Sequence, residues 1–129
     1  MLKVIYIGFG GFIGSILRYS IYIFSNNILG YSSPVATLFV NILGCFLIGT
    51  VYQLLNGYLV ISENLRLFII IGLLGGFTTF SAFSIDVYLI YQNSGKMIAT
   101  AYVILSIVFS LLALLIGVWL IKSCVPKLI

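Results

Sequence analysis

The chain has 129 residues, 63% of them hydrophobic and only 6% charged, with a net charge of +4. Soluble domains carry about 25% charged residues, so this composition excludes a soluble protein and describes an integral membrane protein of one domain with little outside the bilayer. Histidine is absent, and Glu63 and Asp86 are the only carboxylate side chains. Metal clusters, nucleophile–histidine–acid triads and paired-carboxylate chemistry are thereby nearly excluded.

The basic residues are scattered, which suits lipid headgroups rather than the clustered patch that nucleic acid requires. Cys45 lies in an apolar run and Cys124 in the C-terminal tail. Their spacing predicts two free thiols and no metal site.

The first apolar run extends from Leu2 to Phe24. It is long for the core of a signal peptide, contains Arg18 and lacks a clear cleavage site, which predicts a retained membrane helix. Gly10 with Gly14, and Gly11 with Ser15, place small residues four apart, a pattern that lets helix backbones approach closely in lipid. Arg18 lies roughly 9 Å from the predicted helix end at Phe24. Two placements are open to it: snorkelling to the interface or facing a wet vestibule that attracts anions.

After a polar loop from Ser25 to Ser33, Pro34 stands where the first turn of a helix tolerates proline. The second run extends from Pro34 to Leu55. Asn41 lies about two turns in, too deep for capping. An amide at that depth needs a partner, either across a helix interface or in a pore.

A second loop, Asn56 to Glu63, leads into a third run from Asn64 to Tyr91. As one straight helix it would be roughly 42 Å long, longer than the ~30 Å hydrocarbon core. Its centre reads Gly75-Gly76-Phe77-Thr78-Thr79-Phe80-Ser81-Ala82-Phe83. Paired glycines and a β-branched pair weaken a helix there. Two arrangements follow: a break near the bilayer midplane, or a continuous helix with glycines for close packing. Discontinuous membrane helices are where transporters build ion sites. Asp86 falls near the C-terminal end of this run, where interfacial solvation is the expected role and a place at a pore mouth the alternative.

The fourth run extends from Met97 to Ile121. Tyr102, Ser106 and Ser110 share one helix face. Serines in a membrane helix can bond their own backbone, but a continuous hydroxyl stripe suggests a polar track. Four spans put Lys3, Arg66, Lys122 and Lys127 on one side. Lys96 falls on the other, with Arg18 if it snorkels. The positive-inside rule then places both termini in the cytoplasm by a narrow margin, narrow enough for insertion in both orientations.

Four short helices enclose little, so a pore requires an oligomer. The polar groups on offer are hydroxyls, amides, carbonyls and aromatic edges, which suit permeation or binding rather than turnover. Phe80 and Phe83, three apart, project to similar sides of a helix. They read either as ordinary core or lipid-facing aromatics, or as ring edges whose positive rim contacts a small anion. Weak contacts of that kind allow both entry and exit.

The stretch Gly75–Phe83, the early G-x-x-x-R-Y from Gly14 to Tyr19, and F-x-N-x-x-G from Phe39 to Gly44 together resemble the Fluc/CrcB fluoride channel family. The resemblance covers all four spans. It implies a four-helix subunit, its third helix broken at the centre, that pairs as an antiparallel, dual-topology homodimer in a prokaryotic plasma membrane. Such dimers carry two fluoride pores and a structural sodium ion at the interface. By matching position, Phe80 and Phe83 line the pore, Asn41 donates its amide to the ion, and carbonyls of Gly75 and Thr78 bind sodium. Arg18 stands near a vestibule, and Tyr102, Ser106 and Ser110 form the fourth helix's polar side. Ala82 departs from the family, which commonly carries a hydroxyl residue there; Ser81 and Ser84 are the nearby substitutes.

Two rival functions remain. A small four-helix multidrug exporter needs a membrane-embedded carboxylate, usually in the first helix, where this chain has Arg18 and no acid. A pore-forming lysis or assembly protein has no need of Asn41, a broken third run and a hydroxyl stripe together.

Overall fold

The computed structural model describes residues 1–27, 30 and 33–125. Among these, all regular structure is helical. Four segments are long and apolar enough to cross a membrane: Leu2–Asn27, Ser33–Gly57, Glu63–Ser94 and Lys96–Cys124. Helices are the expected solution, because lipid offers no partners for free backbone N–H and C=O groups. Each segment runs beyond the bounds its hydropathy suggests, because polar residues such as Asn27 and Gln92 still extend the intrahelical ladder. Lys127 lies outside the described residues.

The loops are short and specifically made. Ser62 accepts the Leu65 N–H at 3.3 Å through its hydroxyl and starts the third segment. Glu63 follows in the first turn, favourably placed in the dipole field, and pairs with Lys3 at 2.8 Å. Both side chains are largely exposed, so the pair orients the two helix ends more than it stabilises them. Gly95, at φ 87°, turns the chain from the third segment into the fourth.

The first helix packs along the leading half of the third segment, and the second packs along the fourth. The small-residue face predicted on the first helix is the contact surface. Gly14 is buried, and a methyl group there would overlap the Leu73 carbonyl. Large side chains such as Phe9, Phe12, Leu111 and Trp119 point outward. That is the natural direction when the surrounding solvent is hydrocarbon.

The second and fourth helices run parallel. Tyr102, early in the fourth, reaches Pro34 at the start of the second. Further along, buried Gly49 lies against Leu114. This parallel alignment keeps the polar faces of the two helices in step.

The third segment changes winding along its length. After one α-helical turn, Glu63–Leu67, it widens into a π-helical stretch, Phe68–Leu74, then tightens to α-helix over Gly75–Phe77. π-helical turns commonly accompany functional sites. Thr78 and Thr79 are both extended, and α-helix resumes at Phe80 and continues to Ser94. The break expected somewhere in Gly75–Thr79 therefore sits on the threonines. The paired glycines still belong to the leading helix.

Candidate functional site

The break is held by side chains that stand in for a helix. Thr78 keeps the ladder for one more step: its N–H donates to the Leu74 carbonyl at 3.1 Å and its hydroxyl to the same oxygen at 3.0 Å. Thr79 then leaves the ladder. Its N–H donates to Asn41 Oδ1 at 2.9 Å, and its carbonyl accepts from Asn41 Nδ2 at 3.0 Å. One carboxamide from the second helix thus satisfies both backbone groups of the residue that breaks the third. The Thr79 hydroxyl caps the restarted helix, accepting the Ala82 N–H at 3.2 Å. Gly44, one turn from Asn41, makes this approach possible: a Cβ there would overlap the Thr78 methyl group.

This arrangement releases carbonyls of the leading helix, those of Gly75 and Thr78 among them. In an unbroken helix the N–H groups of Thr79 and Ala82 would bond the carbonyls four residues earlier, those of Gly75 and Thr78. Both N–H groups are diverted, to Asn41 and to the Thr79 hydroxyl. Gly75 and Thr78 are left without their helical partners, and Gly75 is exposed on the subunit surface. These are hard oxygen donors of the kind that suit an alkali or alkaline-earth cation. Among the described residues no group of three His, Cys, Asp or Glu side chains is placed to hold a metal.

Beside the break lies an open cavity of about 480 Å³. Its wall includes Asn41, Gly75, Thr78, Phe80, Phe83, Ser106 and Ser110, so it gathers most of the residues singled out in the sequence. Among the described residues its wall carries no charged side chain. Asn41 spends one of its two amide hydrogens on Thr79 and keeps the other. It is the interhelical tie, with one amide hydrogen left over. Ser106 is only 5% exposed, and its hydroxyl has no hydrogen-bond partner among the described residues.

The aromatic residues form a line. The Phe80 and Phe83 rings are 5.5 Å apart and tilted by 46°. Phe83 is buried and stacks on Tyr102 with ring centroids 5.7 Å apart. Phe80, by contrast, is 79% exposed in the single subunit. The Tyr102 hydroxyl donates to the Pro34 carbonyl at 3.1 Å, which ties the hydroxyl stripe to the start of the second helix.

Other expected residues lie elsewhere. Ser81 is exposed and shares a hydrogen bond with the Thr79 hydroxyl at 3.2 Å. Ser84 donates to its own helix at Phe80 and borders a separate hollow with Tyr88, Lys96 and Thr100. It does not join Asn41. Arg18 is half-buried and absent from the cavity wall. Because the first helix continues to Asn27, Arg18 stands about 13 Å from its end, deeper than expected.

Asp86 corrects the sequence reading most clearly. Interfacial solvation was expected, yet the residue is 2% exposed. Its carboxylate accepts from Thr37 and from Ser33, the latter at 3.3 Å, and Thr37 also bonds the Tyr22 hydroxyl at 3.0 Å. The physical reason is twofold. The third segment runs on to Ser94, which leaves Asp86 about 12 Å from its end. The N-terminus of the second helix, with its hydroxyls and positive dipole end, supplies a polar socket for a carboxylate.

A regularity legible in the sequence was not used there. Thr37, Asn41 and Cys45 fall four apart on the second helix, as Tyr102, Ser106 and Ser110 do on the fourth. Because these helices run parallel, the two stripes face each other, and Cys45 joins the cavity wall with Ser106 and Ser110.

Comparison with known proteins agrees with this architecture. The family model described as CrcB-like protein, Camphor Resistance (CrcB), matches residues 5–118. A Ruminiclostridium cellulolyticum protein named "Fluoride-specific ion channel FluC" is 40% identical over 123 residues, covering 95% of each chain. Proteins of the same name from Rhizobium meliloti and Leptospira interrogans are each 38% identical. They cover 97% and 94% of this chain, and 100% and 95% of their own. The chain, a four-span membrane protein with its third span broken beside an open cavity, belongs to the CrcB-like family.

Proposed function

We propose that this protein is a fluoride-selective channel of a prokaryotic plasma membrane, letting fluoride leave the cytoplasm by passive permeation. The observation that carries the reading is the uncharged cavity at the break, lined by Asn41, Phe80, Phe83, Ser106 and Ser110. Fluoride is small and strongly hydrated, so a path must replace its water with several close donors. The second Asn41 N–H, the unpartnered Ser106 hydroxyl and the Ser110 hydroxyl supply them. Phenyl edges add weak positive contacts. With no cation in the wall, the anion is stabilised without being trapped, as conduction requires.

The exporter alternative has nothing to use. A cation exporter needs an acid in its translocation path, the cavity wall has none, and Asp86 is engaged by Thr37 and Ser33. The same lack of a general base in the cavity favours permeation over turnover chemistry.

The cavity is open on one side in a single subunit, and Phe80 and Gly75 are exposed beside it. A second, antiparallel copy would close that side and complete two pores. It would also bring the two breaks together on a two-fold axis. The carbonyls of Gly75 and Thr78 from both copies would then hold a sodium ion, which offsets the repulsion between their dipoles. Arg18, Ser81 and Ser84 belong to the outer approaches of the path, and Tyr102 to its wall through Phe83.

Reconstitution tests the function directly. Proteoliposomes loaded with fluoride should empty fast, those loaded with chloride slowly, and neither a proton gradient nor a cationic dye should change the outcome. Equal rates for the two halides would refute fluoride selectivity.

A further inference from the structure

The second and fourth helices carry matching polar stripes, Thr37-Asn41-Cys45 and Tyr102-Ser106-Ser110, on parallel axes. Tyr102 and Thr37 lie at the start of the pair, where Tyr102 bonds the Pro34 carbonyl and Thr37 bonds Asp86. Asn41 and Ser106 meet in the cavity. Cys45 and Ser110 form the next rung, both residues in the cavity wall. Cys45 is partly exposed, free of any disulfide, and one helical turn beyond the Asn41 amide. A buried cysteine more often serves as a small apolar filler. Here the neighbouring Ser106 hydroxyl on the same wall is buried and has no hydrogen-bond partner among the described residues, so this stretch of the wall holds donor capacity not spent within them.

We infer that the Cys45 thiol is a donor on the anion path, and that covalent modification of this thiol closes the pore. The inference rests on the channel reading above. The S–H group is a weak donor, so it suits a position where an anion must be passed on rather than held. Methyl methanethiosulfonate is a small, neutral probe able to enter from lipid or water. The Cys45 thiolate attacks its sulfenyl sulfur and forms a protein disulfide. The bond from that sulfur to the sulfonyl group breaks, methanesulfinate leaves with the electron pair, and the thiol proton passes to water. The added methylthio group takes up space on the wall that Cys45 shares with Ser106 and Ser110.

The test uses full-length protein carrying Cys124→Ser, which removes the other thiol, in fluoride-loaded liposomes. Treatment should add one methylthio group by mass, slow fluoride efflux at least tenfold, and be reversed by dithiothreitol. A Cys45→Ser variant should be indifferent to the reagent. Cys45→Val, which keeps the bulk and loses the donor, should conduct at least fivefold more slowly than Cys45→Ser. Modification of Cys45 without a change in flux overturns the inference, as does a thiol that stays unmodified in conducting protein. If the untreated protein carries no fluoride, the channel reading itself fails and takes the inference with it. Selective efflux that ignores a modified Cys45 refutes the inference alone. Because the reagent acts on protein already folded and conducting, a misfolded variant cannot produce the expected result.

Discussion

Asn41 grips the Thr79 peptide from both ends, donating to its carbonyl at 3.0 Å and accepting its N–H at 2.9 Å. No other side chain of this size offers both an acceptor and two amide hydrogens in one plane. The same group therefore holds the break open and keeps one amide hydrogen, and Asn41 forms part of the cavity wall. Asn41→Asp keeps the acceptor for the Thr79 N–H but loses both donors and places a negative charge in the anion cavity. Fluoride efflux should fall at least a hundredfold. Asn41→Ala should lower stability by about 1–3 kcal/mol, because Thr79 is left with unpaired backbone groups. Efflux from liposomes and thermal unfolding in detergent separate the two effects. A freely conducting Asn41→Asp variant would remove the amide from the ion path.

The two phenylalanines should respond differently. Phe80 is 79% exposed in the subunit, whereas Phe83 is buried against Tyr102. Replacement by Ile keeps apolar bulk and deletes the electropositive ring edge. Both Phe80→Ile and Phe83→Ile should suppress fluoride flux at least tenfold. Only Phe83→Ile should also lower subunit stability, by about 0.5–1.5 kcal/mol from the lost aromatic pair. Wild-type flux in both variants would return the rings to simple packing.

The buried carboxylate is expected to be a structural keystone for the start of the second helix. Thr37 is fully buried between Asp86 and Tyr22. Thr37→Val is nearly isosteric and removes the shared hydroxyl. It leaves Asp86 with Ser33 alone among its described partners, and stability should drop by about 1–3 kcal/mol. A melting temperature in detergent equal to that of the unaltered protein would show that the network contributes nothing to folding.

On the proposal that the released carbonyls hold sodium between two copies, assembly should depend on that cation. With sodium replaced by N-methyl-D-glucamine, the dimer should dissociate or lose fluoride conduction, and sodium should restore it. Molecular mass by light scattering, with efflux run in parallel, provides the measurement. Orientation is checked by labelling a terminal tag cysteine from each side of the cell membrane, after Cys45 and Cys124 are replaced by serine. Label reaching the tag from one side only would exclude an antiparallel pair. A monomer in both salts would remove the shared cation site.

The sequence by itself determined the membrane class, the four spans and the place of the weak point in the third span. It could do so because hydrocarbon imposes one solution on an apolar chain, and because paired glycines beside paired threonines weaken a helix wherever they occur. It also held the polar stripe Tyr102-Ser106-Ser110, since faces repeat with helical period. Tertiary structure alone decided the rest. That Asn41 ties the second helix to the third depended on which backbone groups come within 3 Å of it. Asp86 is buried because a helix start from a distant part of the chain supplies its socket, which no local pattern announces. Cys45 belongs to the cavity because the second and fourth helices run parallel and in step. That relation is fixed by close packing at positions such as Gly49 and Leu114, across a separation in sequence that periodicity cannot bridge.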